Sequence, residues 1–446
     1  MRNETIHGSR TRCHAAAATD RGGGSPRRPR ERISQEDGVG MEVKPGYKQT
    51  EVGVIPEEWD CAAIGGVTDI CVGRDLHEEI FSTADDSTYR FPVYSNTVAN
   101  QGLYGFYSIP EYEGDSLTVV GRGVGLGTAF ARKGGYGAIG RLLVLLPNKH
   151  RADARFLATF INQKVSIFVE TGGIPQLTGI QFSKYKVALP SISEQCAIAE
   201  ALSDMDVLLG ALDRLIAKKR DLKQAAMQQL LTGQTRLPAF HGEWEVKTLY
   251  DLADRKKELF DDGDWIEAEF LTESGIRLVQ TGNIGEGQFT DKESKKYISD
   301  SSFKKLGCKE LQIGDILICR LAEPAGRACI LPNIGEERVI TAVDVSIFRP
   351  AMSIADRRFL VNVFNTRHWF EAVSERCGGS TRTRIARGQL GKMEIKLPPL
   401  PEQTAIAEVL TDMDAELVAL EQCREKTLAL KHGMMQELLT GRTRLV

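Results

Sequence analysis

Along two stretches of this chain, apolar residues recur at alternating spacings of four and three. In one, the series is Ile198, Leu202, Met205, Leu209, Leu212 and Ile216; in the other it is Ile406, Leu410, Met413, Leu417 and Leu420. Such a series is the heptad seam of a helix that packs along a second helix. It predicts two long helices, over 190–237 and 398–446, each roughly 60 Å long at 1.5 Å per residue. Their ends carry signals too. Pro190 and Pro398 stand at the starts, and Ser191 with Glu194 fits a capping box. In the second stretch Pro399 replaces that serine, leaving Glu402 to complement the helix dipole. Gly233 and Gly441 sit where a left-handed C-terminal cap belongs. An ordinary helix-bundle core is the plainer explanation of the same pattern.

The two stretches are copies. Residues 189–237 and 397–445 align without a gap at an offset of 208, and 27 of the 49 positions are identical. A fainter echo precedes each unit: "TEVGVIPEEW" ends at Trp59 and "TRLPAFHGEW" at Trp244, with Thr50 and Thr235 nine residues before the tryptophan and Glu58 matching Glu243. The order is therefore arm, variable region, helix, twice over. A chain built this way is expected to bring its two ends together and complete a pseudo-two-fold ring.

Between arm and helix the hydrophobic pattern changes. Short β-branched and aromatic runs broken by glycine, such as "SLTVVGRGVGLGTAF" and "DILICRLAEPAGRACIL", predict two mixed, β-rich regions. They run from Trp59 to Leu189 and from Trp244 to Leu397, the second longer by 23 residues. Landmarks correspond: "GDSLTVVGR" (Gly114 to Arg122) with "GDILICR" (Gly314 to Arg320), "LLVLLPN" with "VDVSIFRP", and "PQLTGIQF" with "TRIARGQL". The fold class is thus α+β.

The polar residues of these regions suit nucleic acid. One glycine-punctuated loop carries Tyr94, Ser95, Asn96, Asn100 and Gln101, and Arg122 follows. In the second region Gln280, Thr281 and Asn283 lie in "VQTGNIGEGQF", with Arg320, and Arg382, Arg384 and Arg387 in "GGSTRTRIARGQ". Asn and Gln pair bidentately with adenine and Arg with guanine, and all can hold phosphates. Ordinary polar turns are the alternative for any one of them.

Composition narrows the class. With 446 residues, 42% apolar and 26% charged, the chain is long enough for two cores. It has no run of eighteen apolar residues, so no membrane partner is expected. Nine scattered cysteines without a C-x-x-C pair read as reduced thiols in a cytoplasm. The net charge of −3 does not by itself advertise a DNA binder, although local basic patches fit within a neutral total. Residues 1–40 are rich in arginine, glycine and small residues and cannot bury enough surface to fold alone. They read as a disordered extension, or as sequence ahead of a start at Met41; a basic arm and a transit peptide are the functional alternatives.

Catalytic chemistry is not written here. The chain has neither a G-x-x-x-x-G-K-[ST] phosphate loop nor a [DN]-P-P-[YF] amino-methylation motif. "GRGVGLG" at 121–127 lacks the strand-then-helix setting of a dinucleotide loop and reads as a glycine-rich β-turn. Asp204/Asp206 and Asp412/Asp414 stand two apart on a helix and cannot converge on one metal. No catalytic residue, cofactor or metal site is assigned to this chain.

In these phrases the sequence resembles the DNA-specificity subunit of type I restriction-modification systems. "LPPLPEQTAIAEVL" and "LLTGRTRL" are similar to that family's helices, and "PVYSN", "GNIGEG", "GDILICR" and "GSTRTRI" to its recognition domains; the likeness spans about Met41 to Val446. The resemblance implies an N-terminal arm (41–58), a first target-recognition domain (59–189), a first helix (190–237), a second target-recognition domain (238–397) and a second helix (398–446). The helices would form an antiparallel coiled coil separating two domains that each read half of a bipartite double-stranded DNA target. The implied partners are two adenine-methyltransferase subunits and two motor-nuclease restriction subunits, which would carry S-adenosylmethionine, ATP and Mg. Two rival classes remain: a coiled-coil adaptor that binds only protein, and an enzyme whose motifs have drifted.

Overall fold

The computed structural model describes residues 44–167, 176–321, 324–379 and 383–445. The expectations for 1–40 and for Arg382 fall outside those residues.

Both heptad stretches form helices of 39 residues, α1 (Ile192–Leu230) and α2 (Leu400–Leu438), about 58 Å long at 1.5 Å per residue. They pack along each other in opposite directions. Cross-helix ion pairs join Asp206 to Lys431, Asp213 to Arg424, Lys219 to Glu416, Arg220 to Glu421 and Lys223 to Asp414. A shift of 208 residues turns the Asp206–Lys431 pair into Asp414–Lys223. The second aspartates of "SDMD" and "TDMD" thus bridge the helices. In the seam, Ile198, Leu202, Leu212, Ile216, Ile406, Leu410 and Leu417 are buried, and Met205, Leu209, Met413 and Leu420 are half-buried.

The helix ends interlock the two halves. Ile198 and Leu202 at the start of α1 share a core with Met435, Leu438 and Leu439 at the end of α2, and Ile406 and Leu410 share one with Leu230 and Leu231. Glu194 and Glu402, both fully buried, are gripped by Arg444 and Arg236 at 2.5 Å, again related by the 208-residue shift. Each arginine lies over a tryptophan ring, Arg444 over Trp59 and Arg236 over Trp244.

This arrangement corrects two details of the capping expectations. Ser191 Oγ does accept from the Glu194 amide, but the reciprocal half of the box is missing. The Glu194 carboxylate instead receives Arg444 and the Trp59 indole N–H. The left-handed glycines, at φ +73° for Gly233 and +66° for Gly441, follow the cap residues Leu231 and Leu439 by two positions. Gly441 is closed against Pro56 and Trp59, where any Cβ would clash. The Tyr47 hydroxyl donates to its carbonyl at 3.0 Å, which joins the N-terminal arm to the end of α2.

Though their sequences diverge, the two β-rich halves share one topology. In the first half, an antiparallel sheet orders Thr68–Val72, Leu143–Pro147, Ser116–Val119 and Ala129–Arg132; in the second, Phe260–Asp262, Val345–Phe348, Ile316–Cys319 and Ala328–Ile330 take the same places. A further sheet orders Gly137–Ala138, Phe91–Tyr94, Leu103–Tyr107 and Phe81–Ser82, matched by Val339–Thr341, Ile276–Val279, Lys296–Ile298 and Leu271–Thr272. In both cases the first two strands are parallel. Strands Ile316–Cys319 and Val345–Phe348 are buried at every position; the first reads as a continuous apolar run, and the second includes a buried serine, Ser346, whose hydroxyl donates to Asp262 at 2.8 Å. "GRGVGLG" lies in the connection between two antiparallel strands, as a β-turn requires. Among the described residues, no helix is long and apolar enough to cross a membrane.

Candidate nucleic-acid interface

In the first half, strand Phe91–Tyr94 runs into a loop whose backbone turns through Asn100 (φ +46°), Gln101 (φ +52°) and Gly102 (φ +87°). Left-handed backbone in two successive non-glycine residues is uncommon and needs support from its surroundings. Arg132 supplies it. Its guanidinium, buried beneath the loop, donates to the Gln101 carbonyl at 2.6 Å and to Thr118 Oγ1 at 2.9 Å, and lies 3.4 Å from the Tyr94 ring centroid. Burial pulls the Arg132 pKa down, and Tyr94 and Tyr136 oppose that fall. Tyr136 sits deeper still, its hydroxyl against Ser116, and burial pushes its pKa up to about 12.

Asn96 joins this loop to the glycine-rich turn. Its Oδ1 accepts from the Gly121 amide at 2.8 Å and its Nδ2 donates to the Arg122 carbonyl at 3.3 Å. Ser95 closes its own loop onto the Gly102 carbonyl. Tyr94, Ser95 and Asn96 therefore shape the surface, while Asn100, Gln101 and Arg122 are exposed upon it with no side-chain partner among the described residues.

The second half repeats the design with other residues. Buried Asn283 accepts from the Gln280 amide at 2.9 Å and donates to the Thr290 carbonyl at 2.8 Å, pinning the turn that holds half-buried Gln280 and Thr281. Arg327 braces that turn from the same side of the sheet as Arg132 does, donating to the carbonyls of Thr281 (3.0 Å) and Ile284 (2.7 Å). Arg320 is buried, donates to the carbonyls of Val343 and Ile385, and pairs with Asp262 at 3.1 Å. Burial lowers its pKa, with the Asp262 charge acting against that. Arg384 pairs with Asp344 at 3.1 Å, and Arg387 with Asp261.

Backbone hydrogen bonds set the equivalences between halves. The Leu177 amide donates to Gly121 as Ile385 does to Arg320, and Val120 donates to Thr128 as Cys319 does to Arg327. Arg320 therefore occupies the place of Gly121, and Arg122 that of Leu321; the sequence parallel of Arg122 with Arg320 is off by one residue. The sequence reading also passed over Arg132 and Arg327, whose only signal is an arginine at the edge of an apolar strand. A cleft of about 1160 Å³ between α1 and the second half is lined by Met227, Leu231, Trp369 and Ile395 and holds none of the Arg320, Arg384 and Arg387 cluster.

Comparison with known proteins agrees with this architecture. The chain is 24% identical over 413 residues to the type I restriction enzyme MjaVIII specificity subunit of Methanocaldococcus jannaschii, covering 88% of this chain and 94% of that one. In fold it resembles the S subunit of a type I restriction-modification system from M. genitalium, with a TM-score of 0.54 at 14% identity over 85% of this chain and 96% of the other. It also resembles a chain solved in work on complex assembly and conformational transition of the type I R-M system, at TM-score 0.51 and 16% identity over 87% and 99%. The family described as the type I restriction modification DNA specificity domain matches twice, at residues 56–218 and 241–430, and this chain belongs to that family.

Proposed function

We propose that this chain is the DNA-recognition subunit of a type I restriction-modification complex, and that it reads a bipartite target with one β-rich domain per half. The observation that carries this reading is the doubling: two halves of one topology but different loop chemistry, held apart by helices that are near copies. The domains are taken as 59–189 and 238–397, with the arm at 41–58 and the helices at 190–237 and 398–446. α1 and α2 act as an antiparallel coiled coil that sets the gap between half-sites. The shift-related ion pairs support a pseudo-two-fold axis across it. Such symmetry offers two equivalent surfaces, and hence room for two copies of one methylating partner; two motor-nuclease subunits complete the assembly.

In this reading the subunit performs no chemistry. S-adenosylmethionine, ATP and Mg belong to partner subunits, and the methylating partner extrudes its adenine from the duplex to reach it. Tyr94, Ser95, Asn96, Asn100, Gln101, Arg122, Gln280, Thr281, Asn283, Arg320, Arg382, Arg384 and Arg387 remain the candidate contacts. Among the described ones, exposure favours Asn100, Gln101 and Arg122 for direct contact, whereas Asn96, Asn283 and Arg320 act through the loops they hold. The cytoplasm is the expected location.

The test is to co-express the chain with its neighbouring methyltransferase subunit in a host lacking adenine methylation, and to map methylated bases across the genome. A split motif with two defined halves and a fixed unspecified gap is the expected result. An assembled complex, active with another specificity subunit yet silent with this one, would overturn it.

A further inference from the structure

The two candidate surfaces carry opposite electrostatics at equivalent positions. In the first half Arg74, Arg122 and Arg141 are exposed and have no ion pair or side-chain hydrogen bond among the described residues. Their backbones adjoin: the Arg74 carbonyl accepts from Gly140, the residue before Arg141, and the Arg141 carbonyl lies against Gly121, the residue before Arg122. Arg141 is held at φ +66°, a left-handed conformation costly for a side chain of its size. Two carboxylates are close by. Asp75 is adjacent in sequence to Arg74, and Glu111, which faces His77, accepts from the amide of Ala138, whose carbonyl accepts from the Arg74 amide; neither is ion-paired with any of the three arginines.

The second half inverts this. Gly73 donates to Leu142 as Gly263 does to Val345, and Arg74 bridges Ile139 as Asp264 bridges Ala342. These matches put Asp264 in the place of Arg74 and Asp344 in that of Arg141. Arg320, Arg384 and Arg387 of the second half stand elsewhere and are ion-paired. Asp262 faces Arg320, Asp344 faces Arg384, Asp261 faces Arg387, and Lys309 lies 3.2 Å from both Asp261 and Asp264. Lys257, 3.9 Å from Asp261, is at the margin of this cluster.

We infer that Arg74, Arg122 and Arg141 form a phosphate-binding anchor, so that the first domain supplies the electrostatic hold on the DNA backbone while the second binds through a surface whose charges are already paired. This rests on the DNA-recognition reading above. Phosphate contacts release counterions and make affinity fall with salt, by a log–log slope of about 0.9 per contact, whatever the base sequence. Paired arginines release fewer, since each must first leave its carboxylate.

The experiment measures Kd against KCl concentration for the complex of the full chain with its methylating partner, on a labelled duplex bearing the mapped target and on a scrambled duplex of equal length. The triple variant Arg74→Ala, Arg122→Ala, Arg141→Gly should lose about 2.7 from the slope, three contacts at about 0.9 each, and weaken binding to both duplexes by the same factor. Glycine at 141 keeps the left-handed turn. If the triple variant fails to assemble with the partner, Arg122→Ala alone should lower the slope by about 0.9. In the second domain, Asp264→Asn with Asp344→Asn should steepen the slope. An unchanged slope in the arginine variants, or a flatter one in the aspartate variant, overturns the inference. A wild-type complex that does not prefer the target over the scrambled duplex overturns the recognition reading instead, and the slopes on the scrambled duplex still judge the anchor.

Discussion

The two recognition domains have the same strand order and the same parallel pair, and each braces a candidate loop with an arginine from a non-equivalent position, buried Arg132 and half-buried Arg327, yet they share little sequence. The two helices share more than half their letters over 189–237 and 397–445. The reason is geometric. Each helix packs on its near copy, so both partners of every cross-helix pair lie within the repeated stretches, and Asp206 must suit Lys431 as Asp414 suits Lys223. A domain surface faces no copy of itself, and only its hydrogen-bonded frame is constrained. Hence Gly121 and Arg320, or Arg74 and Asp264, exchange places without altering the fold.

The largest effect should come from the part the domains share. Leu410 is fully buried between α2, the end of α1 and the second domain. A carboxylate there would be unpaired in an apolar site, a change of about 4 kcal/mol or more. Leu410→Asp should abolish methylation at both halves of the target together, with the complex failing to assemble on size exclusion. Leu209→Asp, at a half-buried seam position, should weaken assembly less. If Leu410→Asp silenced one half of the motif and spared the other, the helices would not be a common scaffold.

Next in size is an effect confined to one domain. Replacing residues 59–189 with the corresponding domain of another family member should change one half of the methylated motif completely and leave the other half and the gap intact. Altered bases in both halves would break the assignment of one domain to one half-site.

The loop staples come third and separate the domains by burial. Asn283 is 5% exposed and makes both of its hydrogen bonds inside the turn, so Asn283→Ala should cost about 2 kcal/mol. Asn96 is half-buried with one strong and one long bond, so Asn96→Ala should cost about 1 kcal/mol. Urea denaturation gives both values, and each variant should relax base choice in its own half-site only.

How much of this was legible in the letters follows from the same contrast. Helix register, antiparallel-capable seams and shared ends were readable because repetition and a period of three and four survive in sequence. The β-rich halves were readable as a class, through landmarks such as "LLVLLPN" and "VDVSIFRP", which prove to be the matching strands Leu143–Pro147 and Val345–Phe348. Residue roles in the loops were not. An Asn beside glycines has the same composition whether its amide faces a groove or, like Asn283, a neighbouring carbonyl. Arg141 lies just before one of those landmarks and Asp344 within the other, but their equivalence depends on strand register, which the letters do not give.

Acid should expose the smallest difference. Burial by itself would push the Asp261 carboxyl up, but the Asp262 amide, Lys309 and Arg387 together hold it below the usual carboxylate range. A depressed folded-state pKa stabilises above the unfolded value, and that stabilisation is lost as pH falls through the folded one. The loss therefore belongs below about pH 4. The N-cap aspartates Asp153 and Asp356 are depressed in both halves and cancel in the comparison. Asp261 has no equivalent carboxylate in the first half, where Cys71 holds the matching strand position. The second domain should thus unfold ahead of the first on titration from pH 5 to about pH 3, with Trp369, 3% exposed, as its fluorescent reporter and Trp59, 1% exposed, as that of the first. Asp261→Asn should narrow the gap between the two transitions, because the amide keeps the volume but carries no charge to titrate, while the depressed carboxyls of Asp251 and Asp291 keep the second domain the more acid-sensitive; simultaneous loss of both signals in the wild-type chain would show that the helices couple the domains more strongly than the carboxylates distinguish them.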